Sequence, residues 1–309
     1  MGVFVFLPLV LPLTAWPVAR LAEQHLHPRT ATRLLTAVAG VMALCSTLCL
    51  ALLMVVGTAQ LPGNPLPDGW SDPEVRAAVP YDGVAGRAAI PALAVVLVVC
   101  TRVVVRHHLV RRRARRALAR HDRGVAVVPD TVPYAYALPG GDRDRVVVTT
   151  GLLGVLTGPE RRALFAHERA HLAARHHRHL LVAQLAARAN PFLLPLRTAV
   201  AYSTERWADE EAARSVHDRR VVARAIGKAA LVSRAAPAPT LAGLAAPGPV
   251  PRRVAALLRP APTAHSWPPA GTGIGLAAWA AAVGTAVSAM SSANSAVTMI
   301  RILHDATFL

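Results

Sequence analysis

The sequence predicts a mainly α, multi-pass membrane protein with four membrane helices and a mixed α+β domain between the third and the fourth. Three observations predict it. Of 309 residues, 53% are hydrophobic and mean hydropathy is +0.38, too apolar for an ordinary soluble chain. Four stretches, 2–19, 34–59, 88–105 and 271–300, have the length and freedom from charge that a bilayer core demands. Between the last two lie charge-rich strand-like and helical patterns.

The first stretch reads as a retained membrane helix, because no basic residue precedes it and no A-x-A cleavage pattern follows. Its Pro8, Pro12 and Pro17 suit a bundle, where neighbouring helices satisfy the freed backbone groups. The third stretch, interrupted only by Arg102, runs into Arg106, Arg111, Arg112, Arg113, Arg115, Arg116, Arg120 and Arg123. Residues 61–87 carry Asp68, Asp72, Glu74 and Asp82 against Arg76 and Arg87, whereas the turn between the first two helices carries Arg20, Arg29 and Arg33. By the positive-inside rule the amino terminus and the 61–87 loop lie outside and the basic segments in the cytoplasm. The expected division is 1–105, three membrane helices; 106–270, a cytoplasmic domain; and 271–309, a fourth helix with a short outer tail. Topology accounts for the net charge of +17, and no DNA-reading motif accompanies it, so the expected surface partner is the lipid bilayer and no direct nucleic-acid partner. Along the fourth helix Ala280, Gly284 and Ser288 form a small-xxx-small stripe suited to close helix packing. Cys45, Cys49 and Cys100 all fall in membrane stretches and suggest neither disulfides nor a cysteine metal site.

The intervening domain begins with strand-like 124-GVAVVP-129 and 145-RVVVTTGLL-153, separated by 133-PYAYALPGGDRD-144, whose Gly-Gly-Asp suits a turn. Next, 157-TGPE-160 is a capping box with proline in the first turn, so a helix starts at Thr157. That helix contains 167-HERAH-171. Imidazoles four residues apart lie on one face and can converge on one tetrahedral ion, while Glu168 between them points at a bound water. A basic, histidine-rich helix at a membrane surface is the competing reading of the same residues. A third ligand is offered by 202-YSTERWADEEAA-213, where Glu205 precedes Asp209 by one turn, and Asp209 can fix the tautomer of a ligand imidazole.

The pairing of His-Glu-x-x-His with Glu-x-x-Ala-Asp resembles the gluzincin integral-membrane metallopeptidases. Helices on both sides of a cytoplasmic domain look like the BlaR/MecR-type antirepressor peptidases; Ala-Asp and the Val-Val-Thr-Thr-Gly-Leu-Leu run look like the HtpX/CAAX-protease type. The resemblance covers about residues 124–258. It implies a zincin-like catalytic domain, one Zn2+ per chain held by His167, His171 and Glu205, Glu168 as general base and Asp209 behind a ligand. Arg253 in 251-PRRVAALL-258 matches an arginine that assists the transition state, although the expected His-Pro before it reads Pro247-Gly248. The implied activity is zinc-dependent hydrolysis of a protein or peptide substrate, cytoplasmic or membrane-proximal. A winged-helix repressor, general membrane-protein quality control and an inactive zinc-stabilised scaffold stay open as roles. A substrate strand added along 145–149 is expected to give backbone recognition.

Two segments carry separate expectations. His176, His177 and His179 are expected to face headgroups or solvent, and 236–251, rich in Ala, Pro and Gly, to be a linker. Residues 180–196 fit a core hairpin, an interfacial helix or a re-entrant segment; a full span would put Glu205 across the bilayer from His167.

Overall fold

The computed structural model describes residues 6–63, 66, 70, 82–118, 124–140, 144–233, 249–262 and 272–307. Helices α1 (Leu7–Val10), α2 (Ala15–His25), α3 (Pro28–Ala59) and α4 (Asp82–Ala117) precede strands β1 (Gly124–Val128), β2 (Ala135–Leu138) and β3 (Arg145–Thr149). Then follow α5 (Thr150–Val155), α6 (Gly158–Ala173), α7 (His176–Ala189), α8 (Leu194–Val216), α9 (Arg219–Ser233), α10 (Val250–Leu257) and α11 (Gly273–Thr307). The acidic Asp68, Asp72 and Glu74, the basic Arg120 and Arg123, the Gly141-Asp142 pair and residues 236–248 lie outside the described residues.

Among the described residues, three helices are long and apolar enough to cross a membrane: Pro28–Ala59, Gly83–Ala117 and Gly275–Asp305. Where the first span was expected, α1 and α2 are separated by a 3-10 turn at Leu11–Thr14. Proline explains the break. Pro12 has no N–H to offer the Pro8 carbonyl, and the buried Ser46 hydroxyl of α3 donates to that carbonyl instead, at 2.7 Å. Helix α4 does not stop with its apolar stretch but continues to Ala117, because arginine is a good helix former. Where α3 and α4 cross, Gly57 meets Gly86 so closely that a Cβ on Gly57 would lie 2.2 Å from the Gly86 carbonyl carbon. On α11 the inward stripe includes Ala281, Thr285, Ser288, Ser292 and Ser295, while Ala280 is exposed. Its small residues pack within the chain, Gly284 against Leu11.

The sheet has three strands in the order β1-β3-β2, with β1 parallel and β2 antiparallel to β3. Strand β2 falls inside the segment expected to be a loop. Because β3 is central and buried along its whole length, both its edges are occupied, and the expected addition of a substrate strand at 145–149 is ruled out. Residues 180–196 form a helical hairpin: α7, a 3-10 turn at Pro191–Leu193, then α8. Ala183, Ala186, Leu193, Leu196, Ala199 and Val200 join Ala31, Leu35, Val38 and Met42 of α3 in one apolar cluster. The Asn190 side-chain amide, buried at the hairpin tip, donates to the Ser46 hydroxyl at 3.0 Å.

Candidate metal centre and active site

Helix α6 starts where the capping box places it, with the Thr157 backbone N–H donating to Glu160 at 2.9 Å. Three turns on, it presents His167, Glu168 and His171 toward α8, which brings Glu205 and Asp209, and toward α10, which brings Arg253. All six residues singled out in the sequence therefore come together. One ligand atom from each of His167, His171 and Glu205 lies within 4.8 Å of the others. The converging nitrogens are both Nε2: they stand 3.1 Å apart, and 3.6 Å (His167) and 3.4 Å (His171) from the Glu205 carboxylate oxygens.

The far side of each ring is also engaged. His167 Nδ1 lies 3.0 Å from Asp209 Oδ1 without hydrogen-bond alignment. Burial lowers the pKa of the ring, but Asp209 and Glu205 outweigh it and raise it to about 10, and a metal on Nε2 would leave the remaining proton on Nδ1, facing Asp209. His171 Nδ1 lies 2.8 Å from Nδ1 of His176. His176 is 1% exposed, which corrects the expectation that it faces headgroups or solvent. Sequence reasoning missed it because a continuous helix would turn residue 176 roughly 140° away from residue 171. Arg175, in the left-handed region at φ 52°, breaks that continuity between α6 and α7.

Arg253 is buried and grips Asp209 with two hydrogen bonds, Nε to Oδ2 at 2.8 Å and Nη2 to Oδ1 at 2.6 Å, while Nη1 lies 2.8 Å from Glu205 Oε2. Burial disfavours charge on all three. The guanidinium outweighs it for Glu205 and Asp209, whose carboxyls are held below the ordinary range, and the two carboxylates raise Arg253 in return. Burial is the main influence on Glu168 and lifts its carboxyl to about 7, while a hydrogen bond from the Ala137 backbone of β2 works the other way. A carboxyl in that range suits proton transfer near neutral pH.

Charge and donor chemistry together test the fit of a metal. Glu205 and Asp209 share one guanidinium, which leaves one negative charge in a buried site, and Glu168 adds a second when it is ionised; both draw a cation, whether a proton on His167 or a divalent metal. Two imidazole nitrogens and a carboxylate oxygen are a zinc donor set that leaves a coordination position open. His167, Glu168, His171, Glu205 and Arg253 line a cavity of about 240 Å³, together with Tyr136 and Ala137 of β2, His107 and Arg111 of α4, and Leu180, Leu181 and Gln184 of α7. Strand β2 is thus the sheet edge beside the site. The alternation in 134-YAYAL-138 was the signal that could have identified it.

Three helices long and apolar enough to cross a membrane and a His-His-Glu group that could bind a metal ion are features a membrane-associated metallopeptidase would have. Residues 104–188 match the model of Peptidase family M48, whose members depend on zinc. The matched stretch holds His167, Glu168 and His171 and ends before Glu205, so the third donor and its partners rest on the geometry described above. Neither the curated proteins nor the solved structures give a match.

Proposed function

We propose that the chain is a membrane-embedded zinc-dependent metalloendopeptidase that cleaves proteins at the cytoplasmic membrane surface. The observation that carries this reading is the single cavity in which the His167, His171 and Glu205 donors, the Glu168 carboxyl and the edge of β2 open together. An extended substrate segment laid along β2 runs past the donors, with backbone hydrogen bonds supplying most of its recognition. His167, His171 and Glu205 would hold the zinc, which when bound would supply Lewis acidity toward a scissile carbonyl and lower the pKa of a water. Glu168 accepts the proton of the attacking water and returns it to the leaving nitrogen. Asp209 holds the His167 tautomer, and Arg253 keeps Glu205 and Asp209 in place while balancing part of their charge.

Sidedness is supported by two contacts at opposite ends of the bundle. Arg29 and Arg33, in the basic turn, lie over Trp207 beside the site. Trp70 of the 61–87 loop donates to the Leu303 carbonyl at the far end of α11, at 3.2 Å. The site then shares the cytoplasmic face with the basic turn, and the 61–87 loop lies outside with the end of α11. Accessibility labelling of single cysteines at Gly63 and Arg220 checks this; labelling of Arg220→Cys from the outside only would reverse it.

The substrate class rests on where the cavity opens. His107 and Arg111 belong to the end of a helix long enough to cross the bilayer, so the cavity is reached at the membrane surface by a membrane protein or a soluble protein brought there. A repressor substrate of the BlaR/MecR kind and HtpX-like quality control both fit this geometry. Expressing wild type and Glu168→Gln, then comparing new protein termini by mass spectrometry, separates them. Purified Glu168→Gln should hold as much zinc as wild type and lose at least about a hundredfold in peptide hydrolysis; hydrolysis at the wild-type rate would overturn the proposal.

A further inference from the structure

Each of the two histidine donors needs its proton on Nδ1 if Nε2 is to offer a lone pair to an ion. His167 has Asp209 for that purpose. His171 has no carboxylate there. Its Nδ1 meets Nδ1 of His176 at 2.8 Å, with the rings edge to face, 4.8 Å between centroids and 83° between planes. Two ring nitrogens at that distance share one proton, since two lone pairs or two N–H groups would repel. With the proton on His171, His176 is the acceptor and carries its own proton on Nε2, which is buried and has no hydrogen-bond partner among the described residues.

We propose that His176 is the positioning residue for His171, accepting its Nδ1–H and so aiming its Nε2 into the donor cluster. Four features besides the distance support the role. His176 is 1% exposed, so no solvent competes for its acceptor nitrogen. Arg175 in the left-handed region turns the chain back toward α6, and only that reversal lets a residue five positions on face the ligand. Trp207 packs edge to face against the His176 ring, with centroids 4.7 Å apart. Trp207 is itself held in place, its indole N–H donating to Glu211 at 3.1 Å and its face lying 5.6 Å from the guanidinium of each of Arg29 and Arg33.

The two donors are therefore backed by chemically different acceptors, an anion behind His167 and a neutral imidazole behind His171. A neutral acceptor adds no charge beside the donors. A carboxylate at residue 176 would add a further negative charge to a buried site that already holds Glu205 and Asp209. The position thus specifies a hydrogen-bond acceptor without charge, which imidazole supplies in a shape that also fits the Trp207 edge.

This inference rests on the metallopeptidase reading, and the experiment separates the two. Full-length protein in detergent is titrated with zinc against a chelator, and the cobalt(II)-substituted protein is read by its visible absorption bands. His176→Phe keeps a ring against Trp207 but removes the acceptor; it should weaken zinc binding by about 10- to 100-fold and alter the cobalt bands. His176→Asn places Oδ1 where Nδ1 stands and should recover most of the affinity. A His176→Phe variant that folds and binds zinc as wild type does, with unchanged cobalt bands, overturns the role, as does an asparagine variant no better than phenylalanine. A measurement on wild type decides the matter should a variant not fold: nitrogen-15 spectra of the zinc-bound protein should show His176 protonated on Nε2, and protonation on Nδ1 refutes the proposal. Failure of the wild type to bind zinc at all would instead count against the metallopeptidase reading.

Discussion

Glu205 and Glu210 stand five residues apart on α8, both buried at 8% and 4% exposure, yet the structure puts them in different chemical company. Glu205 meets two imidazoles and the Arg253 guanidinium, with Asp209 one turn on sharing that arginine. Glu210 meets Arg219, which grips both its oxygens, and Arg206 at 3.1 Å. Burial does not tell the two carboxylates apart; their partners do. Guanidinium groups cannot ligate a metal, and two of them more than balance Glu210. Around Glu205 and Asp209 a single guanidinium leaves negative charge over, and the imidazole nitrogens nearby can ligate a metal.

The largest expected effect is loss of metal. Glu205→Ala removes a donor, and metal analysis of the purified protein should find zinc reduced from stoichiometric to near background. Glu210→Ala should keep its zinc but strand Arg219 and Arg206 without their shared carboxylate, lowering unfolding free energy by about 3–5 kcal/mol. Thermal melting reads that loss; a folded Glu210→Ala protein without zinc would erase the contrast between the two positions.

Glu160 sharpens the comparison at a smaller scale, since it is buried, far from the donors along α6, and charged for the sake of the helix start. Burial pushes its carboxyl up, but hydrogen bonds from Lys228 and from Thr157 outweigh this and the net direction is down. A depressed folded-state pKa contributes stability above the unfolded value, and this is lost as pH falls through the folded value. Glu160→Gln should therefore cost about 1 kcal/mol near neutral pH, with the difference from wild type shrinking below about pH 4. The Lys228 partner is 40% exposed and screened, so Lys228→Ala should cost less than Glu160→Gln. A constant difference between wild type and Glu160→Gln across the acid range would show that the carboxylate charge is not what stabilises the cap.

How much of this was legible in the sequence depended on the range over which each signal acts. His167, Glu168 and His171 were legible because the four-residue spacing is a property of one helix, and Thr157 because a capping box is local. Glu205 and Asp209 were offered by their one-turn spacing and strengthened by the resemblance to a family, and Arg253 came from that resemblance alone, since nothing in the chain between them says that α8 and α10 fold back to α6. The long apolar helices followed from hydropathy, though their ends did not, because arginines prolong α4 and Pro28 starts α3. Strand β2 was hidden by its shortness and its Pro-Gly-Gly flank. His176 could not be read at all, for it depends on one left-handed residue that carries no glycine or asparagine signature.

The apolar cluster joining the α7–α8 hairpin to α2 and α3 bears on what counts as a module. Ala183, Leu196, Ala199 and Val200 are covered by the same helices that carry the chain through its apolar region. The helix that supplies Glu205 and Asp209 is thus folded by its membrane-side neighbours as much as by the rest of the catalytic segment. An excised 106–270 fragment would carry the whole donor set but present an uncovered oily seam, inviting aggregation. Heredity faces the same restriction as the bench: a recombination that grafts these donors onto another anchor must bring α2 and α3 along. Substitutions at Leu35 or Val38, far along the chain from any donor, can then surface as enzymatic defects.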